Sequence, residues 1–267
     1  MKSLFLVPML CVLTLDPASA TAITYTDFSS VAGLQLNGDA AQAANVLRLV
    51  PSVAAQSGTA YSNSAVSMNS TTAFSTAFEF KVTSDRDSTL GATDGFAFLL
   101  QNVGVTALGT GSENLGFGGL NPSVAVVFRG RGPSRIGVAI DGVDPSDTPS
   151  KLLPGFYTGA EGAFYDKNEF AWIDYDPLTQ LLSVFLSDTS TKPLTALMSS
   201  TVDIFGDLGS QAYVGFSAGN GGAFGTQDIL NWSFTSTEVQ ASVPEPASIA
   251  LMGIALAGLA ATRRRKQ

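Results

Sequence analysis

In the stretch FSTAFEFKV, residues 74–82, Phe74, Phe78, Phe80 and Val82 fall on one side of an extended chain, with Glu79 and Lys81 on the other. Side chains alternate across a strand, so this pattern specifies one buried face and one wetter face. It recurs along the chain. GFAFLL puts Phe96, Phe98 and Leu100 together, LLSVFLS aligns Leu182, Val184 and Leu186, and ILNWSF aligns Leu230, Trp232 and Phe234, with Asn231 and Ser233 opposite. Turn-forming residues separate the runs: Asn37-Gly38-Asp39, Thr93-Asp94-Gly95, Asp141-Gly142 and Asp174-Tyr175-Asp176-Pro177. No long window between residues 23 and 242 keeps a 3.6-residue apolar period, and no internal repeat is visible. Many strands, polar turns and no helices predict an all-β sandwich of two antiparallel sheets, of which a jelly roll is one common form.

Both ends read as processing signals. Lys2 precedes the apolar run 4–15, and Ala18-Ser19-Ala20 and Ala22 follow, which is the form of a secretory signal peptide over residues 1–22 with a helical apolar segment, cleaved after Ala20 or Ala22. Cys11 could alternatively mark a lipoprotein, although Pro8-Met9-Leu10 before it lacks the usual small residues. Near the other end, residues 237–246 read as a linker that contains Val243-Pro244-Glu245-Pro246. A small, apolar helix over 247–262 follows, then the basic block Arg263-Arg264-Arg265-Lys266. At 1.5 Å per residue, a helix of about 16 residues is marginally long enough to enter a bilayer, with the basic block held on the cytoplasmic side. A plain single-span anchor would have this form. So would a sorting signal over 243–267.

Between the signals, residues 23–242 carry nine Lys and Arg against twenty Asp and Glu, a net charge of −11. That excludes a basic nucleic-acid footprint and suits a soluble exported surface. The single cysteine, Cys11, leaves with the signal peptide, so the mature domain holds itself together by core size and not by disulfides. The chain has no histidine, which rules out a Ser-His-Asp triad, a Cys-His pair and a His-ligated zinc or copper site. Asp174 and Asp176 invite comparison with the paired acids of glycoside hydrolases, but they sit in an expected hairpin turn, and no strand carries alternating acids.

The order of the segments DFSSVAGLQLNGDA, LRLVPS, DGFAFLLQN, LGFGGLNPSVAVVF, FAWIDYDPLTQLLSVFLS and AYVGFSAGNGGAFGTQDILNWSF resembles the legume-type (L-type) lectins, over residues 23–236. The tail resembles the PEP-CTERM sorting signal of Gram-negative bacteria. The first resemblance implies a concanavalin A-like jelly-roll sandwich that binds carbohydrate, such as an exopolysaccharide. The second implies transient inner-membrane insertion through the C-terminal helix, cutting near Pro244, Glu245 and Pro246 by an exosortase-type protease, and a destination in the envelope, on the surface or in the extracellular matrix. In these lectins, calcium, often beside a transition metal, is held by carboxylates on the central strand and its following loop.

Here the corresponding strand reads Val124-Ala125-Val126-Val127-Phe128-Arg129, so Val127 and Arg129 stand where the resemblance implies acids. Only residues 130–134 separate this strand from Arg135-Ile136-Gly137-Val138. Arg129, Arg131 and Arg135 put three cations where a dication would sit, and neither calcium nor a transition metal is expected as a cofactor. Asp141 and Asp144 could rebuild a cation site or simply form an acidic turn. The resemblance further implies sugar contacts by Asp94 with Gly95, by Gly111, and by the loop Asn220, Gly221, Gly222, Ala223 and Phe224. Asp94 could equally be a turn residue, and Phe224 a packing plug. The implied function is non-catalytic sugar binding; the alternatives are an adhesive matrix protein that has lost the sugar site and, less favoured, a glycoside hydrolase.

Overall fold

Each alternating segment is a strand in the structure, a computed structural model that describes residues 20–84, 93–143, 152–160 and 162–239. Residues 1–19, Asp144 and the tail from 240 onward, including Pro244, Glu245, Pro246 and the helix expected over 247–262, lie outside the described residues. The strands in chain order are β1 (Thr21–Tyr25), β2 (Leu34–Gly38), β3 (Ala41–Ala43), β4 (Val46–Val50), β5 (Gln56–Ser62), β6 (Val66–Ser67), β7 (Thr72–Val82) and β8 (Gly95–Gln101). They continue with β9 (Ser123–Arg129), β10 (Arg135–Ile140), β11 (Tyr157–Thr158), β12 (Asn168–Asp176), β13 (Leu181–Ser187) and β14 (Met198–Thr201). A single helical turn, α1 (Ile204–Leu208), precedes β15 (Gln211–Asn220) and β16 (Gln227–Glu238).

These strands form two antiparallel sheets. The back sheet runs β14-β13-β12-β7-β16-β4-β3, with β1 also on β16; the front sheet runs β11-β10-β9-β8-β15-β5-β2, with β6 also on β15. Between them lies an aromatic core. Phe74, Phe78, Phe80 and Val82 of β7 are buried as their alternation predicts. They meet the inward rings of the front sheet: Phe80 lies 4.8 Å from Phe96, and Phe78 meets Phe216 edge-on at 5.1 Å. Phe96 stacks on Phe128 at 4.8 Å. A fully buried Phe contributes about 1.5–3 kcal/mol of transfer free energy, and this cluster takes the place of the disulfides that the chain lacks.

The front sheet has no wet face at its centre. Every residue of β8 and β9 is buried. Phe96, Phe98 and Leu100 point to the main core, whereas Ala97, Leu99, Val127 and Ala139 belong to a second cluster covered by Leu115, Phe117 and Leu152. The near-continuous apolar runs GFAFLL and VAVVF follow from this double burial. At the start of β8, Gly95 has φ +127°, and a Cβ there would sit 2.2 Å from the Phe128 carbonyl oxygen, so glycine is required.

Two features differ from the sequence expectation. Leu230 does not share a face with Trp232 and Phe234: the register with β7 slips between Ile229 and Asn231, and Ile229 takes the core position while Leu230 is left half-buried. An inserted residue of this kind is a β-bulge, which shifts the alternation by one. The ends of the sandwich also reach further than residues 23 and 236. β1 begins at Thr21, paired with Ser236, and β16 continues to Glu238.

Candidate functional site: a cleft beside a buried aspartate

β9 and β10 form a hairpin closed by the five residues 130–134, with Arg135 directly opposite Arg129. Residues 159–160 and 162–165 fold over this connection. The Gly159 amide donates to the Ser134 carbonyl at 2.8 Å, the Ala163 amide donates to Ser134 Oγ at 3.1 Å, and the Tyr165 hydroxyl donates to the Thr93 carbonyl. Thr93 and Asp94 lead into β8 at the same end of the sheet, where Gly95 is opposite Arg129.

Asp94 is fully buried. Its Oδ2 accepts the Gly221 amide at 2.8 Å; its Oδ1 has no hydrogen bond and lies 3.6 Å from Arg131 Nη1. Arg131 Nη1 also reaches Glu113 Oε1 at 3.2 Å. Burial raises the Asp94 carboxyl above the usual carboxylate range, opposed by the Gly221 amide and the charges of Arg131 and Arg129. Gly221 is confined on both sides: an added Cβ would fall 2.3 Å from Ser112 Oγ and 3.0 Å from Asp94 Oδ2.

Over this junction opens a cleft of about 460 Å³, lined by residues 55–57, Gly111, Ser112 and Asn220–Gly222. Of the residues expected at a sugar site, Gly111, Asn220, Gly221 and Gly222 line it, and Asp94 lies directly beneath, bonded to the Gly221 amide. Gly95, Ala223 and Phe224 do not line it; Ala223 is buried and Phe224 half-buried in the following loop. The Asn220 side chain is wholly committed to the scaffold. Its Nδ2 donates to the carbonyls of Pro51 (2.7 Å), Val53 (3.3 Å) and Gly225 (2.9 Å), and its Oδ1 accepts from Thr93 Oγ1 (2.6 Å) and Gln227 Nε2 (3.1 Å). Asn220 therefore offers the cleft backbone only. Ser112, Arg131 and Glu113 were not singled out from sequence as sugar contacts. Ser112 adopts φ +53°, unusual for a side-chain-bearing residue, at the lip of the cleft.

At the same end of the sheet, two strand positions carry no anionic ligand. Val127 is fully buried in an apolar cluster and offers no oxygen, and Arg129 is a buried cation. Among the described residues, no group of three or more His, Cys, Asp or Glu side chains could hold a metal. Asp141 forms the turn at the opposite end of β10, where its amide donates to the Ser123 carbonyl at 2.8 Å. The six residues of β10 put it about 20 Å from Arg135, too far to rebuild a site beside Asp94. On the back sheet, Asp176 closes its hairpin turn by accepting from the Leu178 amide (2.9 Å) and Thr179 Oγ1 (2.8 Å), while Asp174 accepts from Ser75 Oγ and pairs with Lys192. Both carboxylates thus have structural partners.

The legume lectin domain matches residues 20–249, and the PEP-CTERM protein-sorting motif matches residues 242–266, marking export and sorting to the bacterial envelope. Among similar proteins, a probable L-type lectin-domain containing receptor kinase S.7 of Arabidopsis thaliana is 32% identical over 189 residues, covering 63% of this chain and 27% of the kinase. Lectin 6 of Medicago truncatula is 32% identical over 183 residues, covering 60% of this chain and 61% of the lectin. The chain thus spans about a quarter of the length of the receptor kinase. Among solved structures, a Bauhinia forficata lectin in complex with GalNAc superposes with a TM-score of 0.69 at 21% identity, covering 83% of this chain and all of that one. The metal-free form of lectin I-B4 from Griffonia simplicifolia gives a TM-score of 0.67 at 25% identity, covering 81% of this chain and 99% of that one. With the domain matched across nearly the whole sandwich and both sheets in place, the chain belongs to the legume lectin domain family.

Proposed function

We propose that this is a non-catalytic carbohydrate-binding protein of the envelope or extracellular polymer matrix of a Gram-negative bacterium, and that it works without calcium. It is exported by its N-terminal signal and released after an exosortase-type protease cuts at its tail. One observation carries the sugar site: segments far apart in sequence, at Asp94, Gly111–Ser112 and Asn220–Gly222, converge on one cleft, with the Gly221 amide fixed to the Asp94 carboxylate at 2.8 Å. A shallow sugar site needs such rigid, converging polar groups. Metal independence is supported by Val127 and Arg129 at the central strand and by the hydrogen bonds of Asn220, which order the loop by protein contacts alone.

A second reading, an adhesive matrix protein without sugar binding, draws support from the complete burial of Asp94 under Arg131. A glycan array on the purified protein, with calcium and with chelator, separates the two. The expected result is binding that survives chelation and is lost in Asp94→Ala. No binding to any glycan, from a protein that is folded by circular dichroism, would favour the matrix reading.

A further inference from the structure

We infer that the end of the β9–β10 hairpin is an anion subsite along the sheet from this cleft, in which Arg135 receives the oxyanion substituent of an acidic sugar, a carboxylate or a sulfate ester. The inference rests on the sugar-binding reading above and specifies its ligand class. Arg135 is only 8% exposed; its Nε is sealed from solvent with no hydrogen-bond partner, and no carboxylate among the described residues pairs with it. A guanidinium cannot escape burial by losing its proton, so an unpaired one is costly to bury unless an anion joins it.

Arg129 is directly opposite Arg135 across the hairpin. By strand parity both side chains lie on the outer face of the front sheet, with Val127 and Ala139, and not in the aromatic core. Gly95 is opposite Arg129 and Gly219 opposite Gly95, so Arg135 stands three strand spacings, about 14–15 Å, from β15, which leads into the cleft residues Asn220–Gly222. A short stretch of one polymer spans that distance. Three of the nine basic residues between 23 and 242 fall within positions 129–135, although the region carries a net charge of −11. An acidic polymer would meet concentrated positive charge here, where Arg131 is already occupied by Asp94 and Glu113 and Arg135 has no such partner among the described residues.

The test measures binding of the full protein to four polymers: polygalacturonate, the same polymer after reduction of its carboxylates, dextran sulfate and neutral dextran. The expected result is at least tenfold tighter binding of polygalacturonate than of its reduced form, weakening severalfold between 50 and 300 mM salt, and loss of that preference in Arg135→Gln with partial recovery in Arg135→Lys. Preference for dextran sulfate over polygalacturonate would assign the subsite to sulfate esters. Equal binding of the acidic and reduced polymers by the wild-type protein would overturn the inference while leaving sugar binding intact, a comparison that stands even if Arg135→Gln fails to fold. Absence of binding to all four would remove the sugar-binding reading itself.

Discussion

Asp94 carries a cost that pH should reveal. Burial raises its carboxyl above the ordinary range, so the folded chain holds that proton more tightly than the unfolded chain does. The associated stability is fully present below the unfolded value, near 3.8, and is lost as pH rises through the raised folded value. Replacing the carboxyl with an amide removes the titration. Urea unfolding across pH 3.5–7 should therefore show wild type losing stability relative to Asp94→Asn as pH rises through that window. A flat difference would mean that Arg131 and the Gly221 amide fully offset the burial. Asn220 makes an opposite case, a side chain whose value is entirely in its partners. Asn220→Ala strips hydrogen bonds from three carbonyls and from Thr93 and Gln227, and should cost about 3 kcal/mol. A loss below about 1 kcal/mol in chemical denaturation would show that water replaces these bonds.

At the scale of elements, the strands were readable because their chemistry is local. Phe74, Phe78 and Phe80 announce a buried face by spacing alone, and the runs around Phe96 and Val126 announce strands covered on both sides. The bulge at Leu230 was not readable, because a one-residue slip leaves composition and spacing nearly unchanged. Nor was the division of labour in the cleft. Asn220 sits in the right loop, but its partners at Pro51 and Thr93 are 169 and 127 positions away, and only the folded sheet brings them together. The same applies to Arg131, whose contact with Asp94 depends on the tight hairpin at residues 130–134. The N-terminal edge carries its own prediction. Thr21 and Ala22 pair with Ser236 and Thr235 in β1 and β16, so cleavage after Ala22 would remove two paired residues from a five-residue strand, whereas cleavage after Ala20 leaves it whole. Intact mass or N-terminal sequencing of the secreted protein should find Thr21 first; a start at Ile23 would mean that the strand tolerates the loss.

For the molecule as a whole, the question is whether the sandwich depends on any ion. An ion that binds only the folded state stabilises it by about 2.7 kcal/mol at one hundred times its dissociation constant. For a domain of this size, each kcal/mol moves the melting midpoint by about 2–4 °C, so an intact calcium site would give a rise of about 5–10 °C. Here the front sheet is closed by apolar side chains on both faces, and the loop at Asn220–Gly222 is tied down by the Asn220 and Asp94 hydrogen bonds; among the described residues no group of three or more ligand side chains gathers around it. The midpoint in 5 mM calcium and in 5 mM EDTA should therefore agree to within about 1 °C. A rise of 5 °C or more in calcium would mean that acids outside the described residues rebuild a site at the sheet's end. Binding and melting would then become calcium-dependent together, and Arg129 would have to be accommodated beside the ion.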